Sequence, residues 1–309
     1  MVNVLFAAQD ARWPEYQDAL QGAFRDAGIK VHLARGIDAE AVDYIVYAPN
    51  SDLQDFAPYT RAKAVLNLWA GVEGIARNPT LRLPLCRMVD PALTQGMVEW
   101  VTGHVLRHHL GMDAHIMASP GTWKPKAPPV SWDRQICVLG LGELGAACAK
   151  QLVQLGFRVS GWSRSAKDIS GLQCYWGEGG LDEALKGAEV VVLLLPDTPA
   201  TTEIMNAKRF GLLAEGAFVI NPGRGPLIDD ASLIDALDRG QIAHATLDVF
   251  RTEPLPQEHP FWHHPQVTVT PHIASETRAH WSAKTIAENV RRGEAGEPFL
   301  HLVDRDLGY

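Results

Sequence analysis

Three polar residues stand just past apolar runs in the second half of this 309-residue chain, and their types suit one reaction. Arg224 follows Phe218-Val-Ile-Asn221 on a turn flanked by Gly223 and Gly225. Glu253 follows Ala245-Thr-Leu-Asp248 and precedes Pro254, and His272 follows Val267-Thr-Val-Thr270-Pro271. Reducing a carbonyl takes a hydride donor, a proton donor and a group that polarises the carbonyl oxygen. A histidine titrates near neutrality, which suits His272 to give the proton. A carboxylate bonded to the ring, here Glu253, would fix its tautomer and favour the imidazolium. A guanidinium can clamp a carboxylate and lean on the adjacent oxygen, so Arg224 points to a 2-oxo acid. Taken singly, Arg224 also reads as a structural turn residue, Glu253 as a helix-start acid and His272 as a satisfied interior histidine. Together, at three successive strand ends, they favour chemistry.

The hydride source is suggested upstream. The apolar run Ile136-Cys-Val-Leu meets Gly140-Leu-Gly142-Glu143-Leu144-Gly145, and an Ala-rich helical pattern follows. In this G-x-G-x-x-G arrangement the first glycine permits a tight turn. The second admits a pyrophosphate to backbone N–H groups, and the third packs helix on strand. The helix N-terminus adds partial positive charge. An NAD site usually carries an acid about 20 residues after the glycines. Ser163 stands there instead, followed by Arg164 and Ser165. A guanidinium between two hydroxyls would bind the 2′-phosphate that a carboxylate would repel, so NADP(H) is expected over NAD(H). A solvated loop arginine is the other reading, and Asp168 lies too far downstream to be the missing acid by simple spacing.

The elements that must position these groups alternate. Strands are expected at 2–8, 31–34, 44–48 and 64–68, with a helix over 16–27. A long helix is expected over 97–117, stopped by Pro120-Gly121. Then come strand 135–140, helix 143–155, strand 157–162, helix 181–186 and strand 189–195. Helix 206–213, strand 217–221, helix 230–239, strands 243–247 and 267–270, and a final helix 277–292 follow. That alternation predicts an α/β fold of two doubly wound parallel sheets, with the ligand beyond the strands' carboxyl ends. The expected division is 1–97 plus 280–309 for one domain and 98–279 for a nucleotide-binding domain.

Apolar residues make up 46% of the chain and the net charge is −8, which gives substantial cores and no global basic footprint for nucleic acid. Cys86, Cys137, Cys148 and Cys174 show no paired spacing, so a reducing, cytoplasmic setting is expected. The start reads as a strand rather than a signal peptide, and no run approaches the ~18 apolar residues of a membrane span. His259, His263 and His264 with Asp248 match no usual zinc spacing, so no metal is expected. The adjacent His108 and His109 read as surface histidines.

The chain resembles the D-isomer-specific 2-hydroxyacid dehydrogenases, and most of all their glyoxylate/hydroxypyruvate reductase branch. The matching pieces are the glycine turn, Leu193-Leu-Leu195-Pro196-Asp-Thr198, Asn221-Pro222-Gly223-Arg224-Gly225, Leu247-Asp248-Val-Phe-Arg-Thr-Glu253-Pro, and Pro271-His272-Ile-Ala274-Ser275. The resemblance implies Arg224, Glu253 and His272 as the catalytic set. It implies cofactor contacts at Gly140, Gly142, Glu143, Leu144, Gly145, Ser163, Arg164, Ser165, Leu195, Pro196, Thr198, Pro222, Gly223, Asp248, His272 and Ala274. Substrate would be held by the backbone amides of Ala70, Gly71 and Val72 with Arg224 and His272. A homodimer joined through the nucleotide units is implied too. The activity implied is NADPH-dependent reduction of small 2-oxo acids. Alternatives are a nucleotide-sensing co-regulator, against which the chain's end at Tyr309 without added tails is set, or a dehydrogenase for a bulkier 2-hydroxy acid. In an offshoot oxidising one-carbon or inorganic acids the Glu is typically Gln, and Glu253 argues against it. Three positions depart from the branch: Trp69 where Gly is frequent, Glu73 for Asp, and Gly223 for Ala, which is expected to loosen the turn before Arg224. Trp69 either narrows the substrate site or points into the core. Tyr47, Trp100 and Trp281 read as packing residues before site residues. Arg278 reads equally as a substrate contact or a solvated helix residue.

Overall fold

The computed structural model describes residues 1–308; Tyr309, where the expected first domain and the argument from missing tails both end, lies outside the described residues. The chain forms two compact units, Met1–Leu93 with the segment from Glu276 onward, and Thr94–Ser275.

In the first unit, β1 (Val2–Ala7), α1 (Trp13–Asp26), β2 (Val31–Ala34), β3 (Tyr44–Tyr47), β4 (Ala64–Asn67), the single turn α2 (Glu73–Ala76) and β5 (Leu85–Cys86) follow in order. The strands form a parallel five-stranded sheet ordered β2-β1-β3-β4-β5. Strands β3 and β4 are buried throughout, as parallel strands covered on both faces must be. Leu20 and Phe24 of α1 pack on one face with Ala283, Ile286 and Val290 of the C-terminal helix Ala279–Ala295. Phe56, Ile75, Leu81 and Val303 cover the other. Tyr47 is buried against Phe56, a packing role. Strand β4 ends at Asn67, which sets the loop 68–72 at the carboxyl edge of this sheet.

The helix α3 (Pro91–His109) runs from the first unit's chain into the second, and α4 (Met112–Ile116) follows. Thereafter come β6 (Gln135–Leu139), α5 (Glu143–Gln154), β7 (Arg158–Ser163), β8 (Gln173–Trp176), α6 (Gly177–Leu185), β9 (Val190–Leu193) and α7 (Ala207–Phe210). They continue through β10 (Ala217–Asn221), α8 (Asp230–Asp238), β11 (Ile242–Leu247) and β12 (Val267–Val269). The sheet has seven strands, ordered β12-β11-β10-β9-β6-β7-β8. Strand β6 pairs in parallel with β7 on one side and β9 on the other, so strand order reverses where the glycine turn begins. Ligands of open α/β sheets bind at such a reversal.

Several local expectations are corrected. The long helix starts at Pro91, because Asp90 accepts the N–H groups of Ala92 and Leu93 and a proline suits the first helical turn. It stops at Gly111, whose φ is 62°, before Pro120 is reached. Strands β5 and β8 were missed: one is two residues long, and the other is a partly exposed edge. His108 and His109 are buried, not superficial. His108 stacks on Phe218 at 4.7 Å and its Nε2 meets Thr246 Oγ1 at 2.9 Å, while His109 Nδ1 accepts from Arg134 Nε. Trp100 packs on His104.

Burial pushes His108 down to about 3 and His244, 5.3 Å away ring to ring, down to about 4. Both are therefore neutral in the fold yet would charge near pH 6.5 once unfolded. Their contribution is undiminished above that value and is lost as pH falls toward the folded values, by about 1.4 kcal/mol per unit for each ring. Melting temperature should accordingly drop from about pH 6.5 downward. In His108→Gln, which keeps a polar partner for Thr246, the drop should be shallower; an unchanged slope would show that this ring is not the sensor.

Candidate active site

The ends of the adjacent strands β10, β11 and β12 carry Arg224, Glu253 and His272, all in the second unit. Nδ1 of His272 lies 2.7 Å from Oε2 of Glu253, and the other carboxylate oxygen, Oε1, accepts the N–H of Phe250 at 2.9 Å. The carboxylate is thus oriented by the backbone before it meets the ring. The hydrogen bond to Glu253 raises His272 above the usual imidazole range, against burial and the charge of Arg224. Burial works to raise Glu253, but the bonds from His272 and the Phe250 N–H, with the charges of His272 and Arg224, together outweigh it and hold Glu253 below the usual carboxyl range. Arg224 is close enough to act on both charges.

Asn221, which sequence reasoning did not credit, and Asp248, which it credited only with the cofactor, build this arrangement. Asn221, buried at the end of β10, donates from Nδ2 to the carbonyl of Arg224 at 2.9 Å and accepts from Gly223 N at 3.1 Å. Its own carbonyl accepts the N–H of Asp248 at 3.0 Å. Asp248 is wholly buried, and its carboxylate accepts from Thr270 Oγ1 at 2.6 Å, Ile273 N at 2.9 Å and Ala274 N at 2.8 Å. Its carbonyl takes the N–H of His272 at 2.8 Å. His272 itself has φ of 54°, a left-handed backbone uncommon for a side-chain-bearing residue and held here by Asp248 on both flanks. So Asp248, which the resemblance assigns to the cofactor, spends its carboxylate on the loop that carries the imidazole. The visible signal was a polar residue closing each apolar run; what it would hold was not visible.

The turns around Arg224 need their glycines. A Cβ on Gly225 would collide with the backbone of Phe250 and Arg251, so this glycine lets the arginine turn lie against the loop that carries Glu253. A Cβ on Gly223 would come within 2.7 Å of the carbonyl of Leu193. Glycine at 223 therefore reflects a close approach of backbones rather than a loosened turn.

At the reversal of strand order, Gly140 has φ of 102°, and a Cβ there would strike the carbonyl of Leu194. On Gly145 it would strike the carbonyl of Gly140, while Gly142 has open space around it. That combination fits a dinucleotide: two glycines close the turn and the third leaves a face open to a pyrophosphate. Glu143 and Leu144 begin α5. At the end of β7, Ser163 is buried and its hydroxyl bonds the carbonyl of Ser165, while Arg164 and Ser165 are exposed. The segment Leu195-Pro196-Asp197-Thr198 is fastened by Thr201, whose Oγ1 donates to Pro196 O at 2.7 Å and accepts from Thr198 N at 2.9 Å. Pro222 and Ala274 are buried. The remaining expected residues, Ala70, Gly71 and Val72, lie in the first unit after β4, with Trp69 exposed beside them rather than turned into the core. Arg278 is exposed and Trp281 lies 4.3 Å under Lys284 Nζ.

Among the described residues no group of three or more His, Cys, Asp or Glu side chains is placed to hold a metal ion. His264 pairs with Asp238, and His259 accepts the N–H of Phe261. Among the described residues no helix is long and apolar enough to cross a membrane.

Residues 103–274 match the NAD-binding domain of D-isomer specific 2-hydroxyacid dehydrogenases. The chain is 40% identical over 281 residues to a glyoxylate/hydroxypyruvate reductase A of Serratia proteamaculans, covering 88% of this chain and 89% of that one. It is similar to the crystal structure of a D-isomer specific 2-hydroxyacid dehydrogenase from Xanthobacter autotrophicus in complex with NADPH and MES, with TM-score 0.92, 40% identity and coverage of 100% and 99%. It is also similar to an NADPH-dependent glyoxylate/hydroxypyruvate reductase from Sinorhizobium meliloti in complex with NADP and sulfate, with TM-score 0.87, 34% identity and full coverage of both chains.

If the Glu253 bond sets the titration of His272, Glu253→Gln should move the alkaline limb of the pH–rate profile for carbonyl reduction to lower pH. The sign follows from the raised imidazole: the proton is held until pH passes its folded value, and a neutral glutamine no longer holds it. If His272 is the proton donor, His272→Asn should lower kcat on the order of 10²–10⁴-fold. A profile unmoved by Glu253→Gln would show that the pair does not govern proton donation.

Proposed function

Since the chain belongs to the D-isomer specific 2-hydroxyacid dehydrogenases, we propose that it reduces small 2-oxo acids, glyoxylate and hydroxypyruvate first among them, to D-2-hydroxy acids with NADPH. The observation that carries this reading is the 2.7 Å bond between His272 and Glu253 at a strand edge shared with Arg224. Bound NADPH supplies the hydride. Protonated His272 gives its proton to the oxygen that becomes the alcohol, while Glu253 stabilises the imidazolium and fixes which nitrogen faces outward: with Nδ1 on the carboxylate, Nε2 is the donor. Arg224 draws electron density onto the same carbonyl oxygen and holds the neighbouring carboxylate. The amides of Ala70, Gly71 and Val72 also bind that carboxylate. Exposed Trp69, in the same loop, favours compact substrates.

The 2′-phosphate is recognised by Arg164 and the hydroxyl of Ser165, with Ser163 holding the Ser165 carbonyl, and the open face at Gly142 takes the pyrophosphate. The protein acts as a homodimer. Its second copy covers the exposed apolar side chains Met112, Ile116, Met117, Trp123 and Trp132, a stretch too apolar to suit water. Four unpaired cysteines suit a reducing cytoplasm.

Following NADPH absorbance with glyoxylate, hydroxypyruvate, pyruvate and bulkier 2-oxo acids tests the substrate class. Turnover should be fastest with the first two; nucleotide binding without turnover of any would overturn the reading in favour of a sensor. Arg164→Ala should raise KM for NADPH on the order of tenfold or more while barely moving KM for NADH, the loss expected for a charged hydrogen bond to phosphate. Equal effects on both cofactors would remove Arg164 from phosphate recognition.

A further inference from the structure

Asn67 closes strand β4, is 1% exposed, and uses its side chain in an uneven way. Its Nδ2 donates to two carbonyls of the loop that follows, Trp69 O at 2.8 Å and Gly71 O at 3.0 Å. Its Oδ1 is buried with no hydrogen-bond partner among the described residues. Facing the amide the other way would set an acceptor against two acceptors, so the orientation is dictated by the loop. A buried acceptor left unmatched costs free energy, and such a cost persists where the geometry it secures is used.

What that geometry secures follows from peptide planarity. In a trans peptide the C=O of one residue and the N–H of the next point in opposite directions. With the carbonyl of Trp69 aimed at Asn67, the N–H of Ala70 is aimed away from it. With the carbonyl of Gly71 aimed at Asn67, the N–H of Val72 is aimed away as well. The plane between them, which carries the N–H of Gly71, is not fixed by Asn67. The Trp69 carbonyl is held a second time by Met88 N at 3.0 Å. Among the described residues none accepts the N–H of Ala70 or Val72. We infer that Asn67 is a positioning residue that turns the N–H groups of Ala70 and Val72 outward as the paired donors for the substrate carboxylate, leaving Gly71 as the flexible link between them. The inference rests on the carboxylate-binding reading above and deepens it, naming which of the loop amides act and what aims them. Two backbone N–H groups converging on one side make an anion-binding concavity, and a carboxylate has an oxygen for each.

Two measurements test this, and one needs no variant. In wild-type protein labelled with 15N at Ala, Gly and Val and saturated with NADPH, oxamate, a non-reducible 2-oxo acid analogue, should shift the amide resonances of Ala70 and Val72 downfield by more than that of Gly71. A dominant response at Gly71, or none in the loop while oxamate binds, overturns the inference. In Asn67→Leu, KM for glyoxylate and Ki for oxamate should rise together on the order of 10- to 100-fold, with kcat within about threefold and NADPH affinity unchanged. A merely structural role would lower kcat and NADPH affinity as well. Should Asn67→Leu fold and bind oxamate as tightly as wild type, this inference alone fails; should wild type bind no oxamate and reduce no 2-oxo acid, the parent reading fails with it.

Discussion

The contact on which the rest depends is one hydrogen bond, 2.7 Å between His272 Nδ1 and Glu253 Oε2. On an open surface such a pair contributes little, since water competes and two side chains must be ordered. Here the ordering is done elsewhere. The carboxylate is already committed to the N–H of Phe250, and the histidine backbone is held at a positive φ by the carbonyl of Asp248. The imidazole side chain remains half exposed, at 52%, so the charge that the pair stabilises is not sealed from a ligand. Preorganisation of this kind is what makes a weak contact useful in a transition state.

Asp248 and Glu253 show how surroundings divide tasks between like groups. Asp248 has no exposure and three donors on its carboxylate, two of them backbone N–H groups, so it serves as a fixed fastening for the loop 270–274. Glu253 keeps one oxygen for a titrating ring. Asn221 joins the two systems: one short side chain sets the Arg224 turn, and its carbonyl takes the N–H of Asp248. The order β12-β11-β10 is what brings these three strand ends side by side.

Much of this was legible in the chain. Apolar runs that stop at a polar residue mark strand ends, and glycines at 140, 142 and 145 mark a turn because backbone conformation and close approach are properties of residue type. Alternating strands and helices sufficed for the parallel sheets. What escaped notice depends on contacts across the sequence. Asn221 and Asn67 look like ordinary strand-end amides until the carbonyls they face are known. Strand β5 exists because β4 and Val303 flank it, not because Leu85-Cys86 has a pattern. The histidines at 108 and 109 sit in a helix with weak amphipathic character, and only Phe218, Thr246 and Phe157 explain why both are buried. The start of α3 at Pro91 follows from the Asp90 cap and the proline rather than from apolar spacing, which shows only the part of the helix beyond it.

The imidazole of His272 can be observed directly by a pH titration of its 15N ring resonances in the wild-type protein. A ring that keeps both protons at pH values where an ordinary histidine has lost one, with Nε2 as the nitrogen that deprotonates, is the result expected of a proton held by Glu253. A ring that titrates at or below the ordinary value, or that loses its proton from Nδ1, would contradict the account at its base.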